Sequence, residues 1–185
     1  MWQRQRQRLL LKKPTETINR NYQMTISDTA ANQLIERYQL IPHPEGGWYR
    51  ELHRSEHTVN RSDGEQRSAL TMILFLLQGG DISRWHRVAA ADETWHFIAG
   101  DALELFSLSP DGGPTIQQLL GFSLADAELK PVAVIPAGWW QAARSTGEWS
   151  LVSCCVGPGF CFSDFSLLAS YPKNEHPPGV IERYI

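Results

Sequence analysis

From residue 48 onward the chain alternates apolar and polar positions in short runs. Each run is bounded by glycine, proline, asparagine or aspartate. Alternation of this kind places successive side chains on opposite faces and marks half-buried strands. It predicts strands over 48–53, 69–77, 83–88, 94–99, 103–109, 115–120, 132–135, 139–143, 151–156 and 165–169. The intervening Gln78-Gly79-Gly80-Asp81, Gly100-Asp101, Pro110-Asp111-Gly112-Gly113-Pro114 and Gly157-Pro158-Gly159 supply turn chemistry. One stretch has helical spacing instead: Ala31, Leu34, Ile35 and Tyr38, with Ser27 or Asp28 as the expected N-cap. Pro42, Pro44, Gly46 and Gly47 end it. About ten short strands with no helices between them read as an all-β fold, an antiparallel sandwich or barrel with a short N-terminal helix.

Composition narrows this to one domain. At 185 residues, 42% hydrophobic and 20% charged, the chain can bury a sizeable core. The expected organisation is a leader at 1–24, a globular domain at 25–172 and a C-terminal tail at 173–185. The leader holds Arg4, Arg6, Arg8, Lys12, Lys13 and Arg20 against Glu16, so a whole-chain charge of −3 leaves the remainder markedly acidic. An acidic body argues against a nucleic-acid surface on the main domain. The leader reads as disordered, with a nucleic-acid arm, a membrane arm or a transit peptide as alternatives, and Met24 resembles a natural start. The longest apolar run, 70–77, is strand-sized, well short of the roughly 18 residues a membrane span needs. Three cysteines, two of them adjacent at Cys154 and Cys155 and the third at Cys161, make no disulfide framework, so a reduced, cytoplasmic setting is expected.

The chemistry concentrates in GDISRWHRVAAADETWHFIAG, residues 80–100. Gly80, His86, Val88, Glu93 and Gly100 follow the spacing G-x5-H-x-H-x3,4-E-x6-G, with valine at the second histidine. Pro136-Ala137-Gly138-Trp139-Trp140-Gln141 matches the centre of G-x5-P-x-G-x2-H-x3-N, with Gln141 at the histidine, Lys130 at the leading glycine and Ser145 at the closing asparagine. These two patterns resemble the paired motifs of the cupin superfamily. The further runs His43-Pro44-Glu45-Gly46-Gly47-Trp48-Tyr49-Arg50-Glu51, Asp92-Glu93-Thr94-Trp95-His96-Phe97 and Pro158-Gly159-Phe160 to Asp164-Phe165 are similar to its type-5 family of small single-domain cupins. The resemblance covers about 28–172. It implies a double-stranded β-helix (jelly roll), commonly a homodimer, and no particular reaction.

Many cupins bind iron, manganese or zinc through three histidines and a glutamate. Here two of the four positions are Val88, which has no donor, and Gln141, whose neutral amide is a weak ligand. No cofactor is therefore expected. The alternative is a divalent metal such as Fe, Mn or Zn held by His86, Glu93 and His96. His96 serves only if a β-bulge after Glu93 turns it inward, since strand alternation points 94 and 96 away from 93, 95 and 97.

Without a metal, His86 and Glu93 read as a general-base pair, the carboxylate orienting the imidazole. The metal-free sugar-nucleotide epimerase branch of cupins offers the analogy: His86 as base, Glu93 as its orienter and Tyr49 as acid. Glu51, Arg67, Trp95, Phe97 and Gln141 are then the expected ligand contacts, Arg67 as a phosphate contact and Trp95 as a stacking surface. The alternatives are a metal-dependent cupin (oxygenase or isomerase) and a non-catalytic small-molecule binding module. Ser62-Asp63-Gly64-Glu65 reads as a solvated loop, and the cysteines as structural thiols.

Overall fold

The computed structural model describes residues 29–185, so the leader and the caps expected at Ser27 and Asp28 lie outside the described residues. Helix α1 spans Ala30–Tyr38, and Thr29 is its N-cap, accepting a hydrogen bond from the Asn32 N–H at 3.3 Å. The strands are β1 (Ile41–Pro42), β2 (Trp48–Arg54), β3 (Thr58–Asn60), β4 (Gln66–Ser68), β5 (Thr71–Gln78), β6 (Ile82–Val88), β7 (Asp92–Gly100), β8 (Leu103–Leu108), β9 (Ile116–Leu120), β10 (Leu129–Lys130), β11 (Val132–Ile135), β12 (Trp140–Ser145), β13 (Trp149–Gly157) and β14 (Phe165–Leu167). All ten runs of alternation are strands. β1, β10 and the β3–β4 hairpin escaped the pattern because two or three residues hold too few alternations to register.

Two six-stranded sheets face each other, with strand orders β1-β2-β5-β13-β7-β11 and β10-β9-β8-β12-β6-β14. β3 and β4 form a separate hairpin. Pairing is antiparallel throughout the sheets except between β9 and β10. Inward-facing residues of both sheets meet in a core that includes Phe75, Leu77, Trp95, Leu103, Leu105, Leu120, Ile135 and Val152. Helix α1 and the residue after its C-cap cover part of the outer face of the first sheet, packing Ala31 and Leu40 on Leu74, Leu76 and Leu151. No helix among the described residues is long and apolar enough to cross a membrane.

The C-terminal segment is part of the folded wall. Tyr184 is fully buried with Trp85, Phe106 and Trp140 against the second sheet, and the Trp85 indole N–H donates to the Ile181 carbonyl at 3.1 Å. Its composition, rich in proline and charge, hides four apolar anchors at Val180, Ile181, Tyr184 and Ile185.

Candidate functional site

The core fills only part of the space between the sheets. The rest is a cavity of about 310 Å³. Strand alternation lines it: Tyr49 and Glu51 from β2, Thr71, Ile73 and Phe75 from β5, His86 and Val88 from β6, Glu93 and Trp95 from β7, and Cys154 and Val156 from β13. Phe165 of β14 and the segment Phe160-Cys161-Phe162 close one side. The remaining wall comes from Arg54 at the end of β2 and from the turn between β1 and β2, which contributes His43 and Glu45.

Backbone geometry explains how that turn reaches inside. Gly46 and Gly47 both have positive φ (114° and 69°), and a Cβ on Gly46 would lie 2.1 Å from the Ile82 carbonyl oxygen. The turn therefore presses onto β6 more closely than any side chain allows. The Arg84 N–H donates to the Glu45 carbonyl at 2.9 Å, and the His43 N–H to the Gly47 carbonyl at 3.0 Å. Gly46→Ala is expected to lower stability by at least about 2 kcal/mol, measured as a lower urea midpoint, because it combines left-handed strain with backbone overlap.

Glu45 sits at the centre of a buried cluster. Its Oε1 accepts from the Ser83 hydroxyl at 2.7 Å, and its Oε2 lies 3.1 Å from His86 Nε2 and 3.3 Å from His43 Nδ1. Burial works to raise this carboxyl, but the charge of His86 and hydrogen bonds from His43 and Ser83 override it and hold it below the ordinary carboxylate range. His86 Nδ1 donates to the Arg84 carbonyl at 2.8 Å, since a carbonyl only accepts. A neutral His86 in that tautomer would set the Nε2 lone pair against Glu45, so the contact requires a shared proton. The two groups titrate as a pair. Burial pulls the imidazole down, and the Glu45 carboxylate opposes it.

His43 is the group this cluster leaves free toward the cavity. Its side chain is 7% exposed, packed edge-on against Tyr49 with ring centroids 4.6 Å apart. Nδ1 lies 3.3 Å from Glu45 Oε2, to which it donates when protonated, and 3.4 Å from the Glu45 backbone N–H, from which it accepts when it is not; among the described residues Nε2 has no hydrogen-bond partner.

Glu93 belongs to a second cluster. Gln141 Nε2 donates to Glu93 Oε2 at 2.6 Å, and Trp95 Nε1 donates to Gln141 Oε1 at 2.9 Å. Burial, reinforced by the nearby Glu45 charge, raises the Glu93 carboxyl to about 7, against hydrogen bonds from Gln141 and Cys154. Burial likewise pushes the Cys154 thiol up, consistent with a structural role.

Several expected contacts are placed differently. The partner of His86 is Glu45, and both its ring nitrogens are engaged, so Glu93 does not orient it and no nitrogen of it is left to meet a ligand. Arg67 lies outside the cavity, its guanidinium on Asp164, Glu65 and Ser163. Phe97 shares the face of Glu93 but packs on the core, and Gln141 is buried behind Glu93. Tyr49, Glu51, Glu93 and Trp95 do line the cavity. Among the described residues Trp95 is the tryptophan that does so. His96 points outward onto Thr94, with Nε2 2.9 Å from Oγ1, because the bulge in β7 falls after Phe97. His43 and Glu45 were missed as chemistry, although both stand in the His-Pro-Glu-Gly-Gly-Trp run. A double-glycine turn beside a histidine and a glutamate was the available signal.

The residues at the cupin metal positions do not make a ligand set. Val88 offers no donor, the Gln141 amide serves Glu93 and Trp95, and His86 is held by Arg84 and Glu45. Among the described residues no three His, Cys, Asp or Glu side chains are arranged to hold a metal ion.

Comparison with known proteins agrees with this architecture. The chain is 38% identical to protein SO0799 from Shewanella oneidensis, with a TM-score of 0.67 over 78% of this chain and 92% of that one. A hypothetical protein from Leishmania major is 35% identical, with a TM-score of 0.68 over 75% of this chain and 86% of that one. An uncharacterized protein of Saccharomyces cerevisiae, YML079W, is 28% identical over 82% of this chain and 81% of its own length. The sequence model of the family described as Cupin superfamily (DUF985) matches residues 32–168, and the chain, a jelly roll with that family's motifs in order, belongs to it.

Proposed function

We propose that the protein is an acid–base catalyst of the isomerase or epimerase type, working without a metal on a small, sugar-sized carbonyl compound. One observation carries the reading: a single apolar cavity holds two buried carboxyl groups pushed in opposite directions, Glu45 down and Glu93 up to about 7. Environments that separate two such groups assign an acid and a charged partner. Glu93 is the acid. In this reading His43 carries its proton on Nδ1, toward the ionised Glu45 Oε2 3.3 Å away, which leaves Nε2 as the base, the role first expected of His86.

In the reaction, His43 Nε2 takes the proton from a carbon beside the carbonyl while Glu93 gives its proton to the carbonyl oxygen. An enol, an imidazolium and a carboxylate result. Returning a proton to the neighbouring carbon, as the other hydroxyl of an enediol gives its proton to the Glu93 carboxylate, completes an isomerisation; returning it to the other face of the same carbon, as the enol O–H goes back to Glu93, completes an epimerisation. The Tyr49 hydroxyl, which has no hydrogen-bond partner among the described residues and whose ring packs on His43, returns it, and its phenolate then regains a proton from the His43 imidazolium. The cavity volume suits a ligand of monosaccharide size. Uncharged ligands are favoured over nucleotide-sugars. Arg54 is the one guanidinium among the lining residues, and its donors go to the Glu51 carboxylate and the Phe160 carbonyl.

The test is solvent exchange. Protein in D2O is incubated with unphosphorylated hydroxy-aldehydes, hydroxy-ketones and keto-sugars, and loss of the C–H signal is followed by proton NMR. A compound that exchanges with the wild type and at least about 100-fold more slowly with His43→Gln supports the reading. Equal rates in the variant, or compounds that bind without exchanging, overturn it, the latter in favour of a binding module.

A further inference from the structure

We propose that Trp95 and Gln141 form a fixed hydrogen-bond relay that holds Glu93 in one orientation and sets how tightly it keeps its proton, making both positioning residues of the site. The inference rests on the reading of Glu93 as the acid. A glutamine side chain presents either a carbonyl oxygen or an NH2 group to its neighbour, and rotation by half a turn exchanges them. Trp95 removes that choice. An indole nitrogen only donates, so at 2.9 Å it must face Gln141 Oε1, which turns the NH2 group onto Glu93 Oε2 at 2.6 Å. Gln141 and Trp95 are each 1% exposed, so water does not compete for either bond.

The two amide orientations would have opposite effects. An N–H aimed at a carboxyl favours its ionised form, whereas a carbonyl oxygen aimed there is satisfied only by the protonated form. Burial and Glu45 already push Glu93 toward protonation. The relay opposes both, and it keeps the group able to give and regain a proton near neutral pH. The geometry also crosses the barrel. Trp95 and Glu93 stand two residues apart on β7 of the first sheet, while Gln141 is on β12 of the second, in register with His86 of β6. The relay therefore fixes the distance between the acid and the opposite wall.

The measurement follows the Glu93 carboxyl carbon by NMR in protein labelled with 13C-glutamate, the signal being assigned by its absence from Glu93→Gln, from about pH 5 to about pH 9. Trp95→Phe and Gln141→Leu are each expected to move the Glu93 midpoint upward by about 1 to 2 pH units, the worth of a hydrogen bond to a charged group. Urea unfolding run beside it separates tuning from packing. A folded Trp95→Phe variant whose midpoint stays at the wild-type value, whatever its loss of stability, overturns the proposal. If Gln141→Leu does not fold, Trp95→Phe decides alone. The readout needs no substrate, so a failed exchange experiment and a failed relay remain distinguishable.

Discussion

Glu93→Gln is expected to slow solvent exchange by roughly two to four orders of magnitude and, above neutral pH, to make the protein more stable than the wild type. Both effects come from one cause. The folded protein holds this carboxyl at about 7 because burial disfavours its charged form, while an unfolded chain holds it near the ordinary 4.5. Between those values the folded state binds the extra proton, so this group's contribution to stability declines as pH rises through the window. Above about pH 7 the full penalty is present, on the order of 3 kcal/mol at one pKa unit per 1.36 kcal/mol. A glutamine in its place carries no charge and can still accept from Gln141 through its amide oxygen. The melting temperature of Glu93→Gln should therefore exceed that of the wild type by several degrees at pH 8, with most of that difference gone by pH 5. A difference of the same size at both pH values would show that the substitution acts through packing and not through the buried charge.

The second large effect concerns Glu45. Glu45→Ala strips the Glu45 contact from two buried imidazoles and the acceptor from the Ser83 hydroxyl. Removing one member of a buried charged pair usually costs about 3 to 5 kcal/mol, because the partner is left unsatisfied in a medium of low dielectric. The pH dependence runs opposite to that of Glu93. The folded Glu45 carboxyl titrates below its unfolded value, so its stabilisation is present above about pH 4.5 and is lost as the pH falls through the folded value. Urea midpoints of the two proteins should thus lie far apart at pH 7 and converge on acidification. A midpoint unchanged at pH 7 would mean that the cluster contributes nothing net, and His43 would lose its orienting partner in the proposed chemistry as well.

The strands and the face each residue takes were legible in the chain. A period of two assigns a face without reference to any partner, and it placed Glu93 with Trp95, His86 with Val88 and Tyr49 with Glu51, as the cavity shows. Tyr49, Glu51, Glu93 and Trp95 were found this way. The rule gave Arg67 no face; it was expected to reach a phosphate only because it precedes the long apolar strand, and Asp164, nearly one hundred positions away in sequence, takes the guanidinium. The rule fails for Phe97 because the same inward face runs from the cavity into the packed core, and only depth separates the two.

The pairing of acids and bases was decided by tertiary structure. By sequence, His86 and Glu93 share one hairpin, and proximity favoured them as partners. In the fold, Gly46 and Gly47 let the β1–β2 turn press onto β6, delivering Glu45 to His86 and His43 to the cavity, while β12 delivers Gln141 to Glu93. What the sequence determined by itself is what repeats locally: strand period, turn residues, the absence of a donor at Val88, and motifs in a family's order. Which carboxyl meets which imidazole depends on loops closing between strands distant in sequence, and so on the backbone contacts and buried electrostatics that exist only once both sheets are assembled.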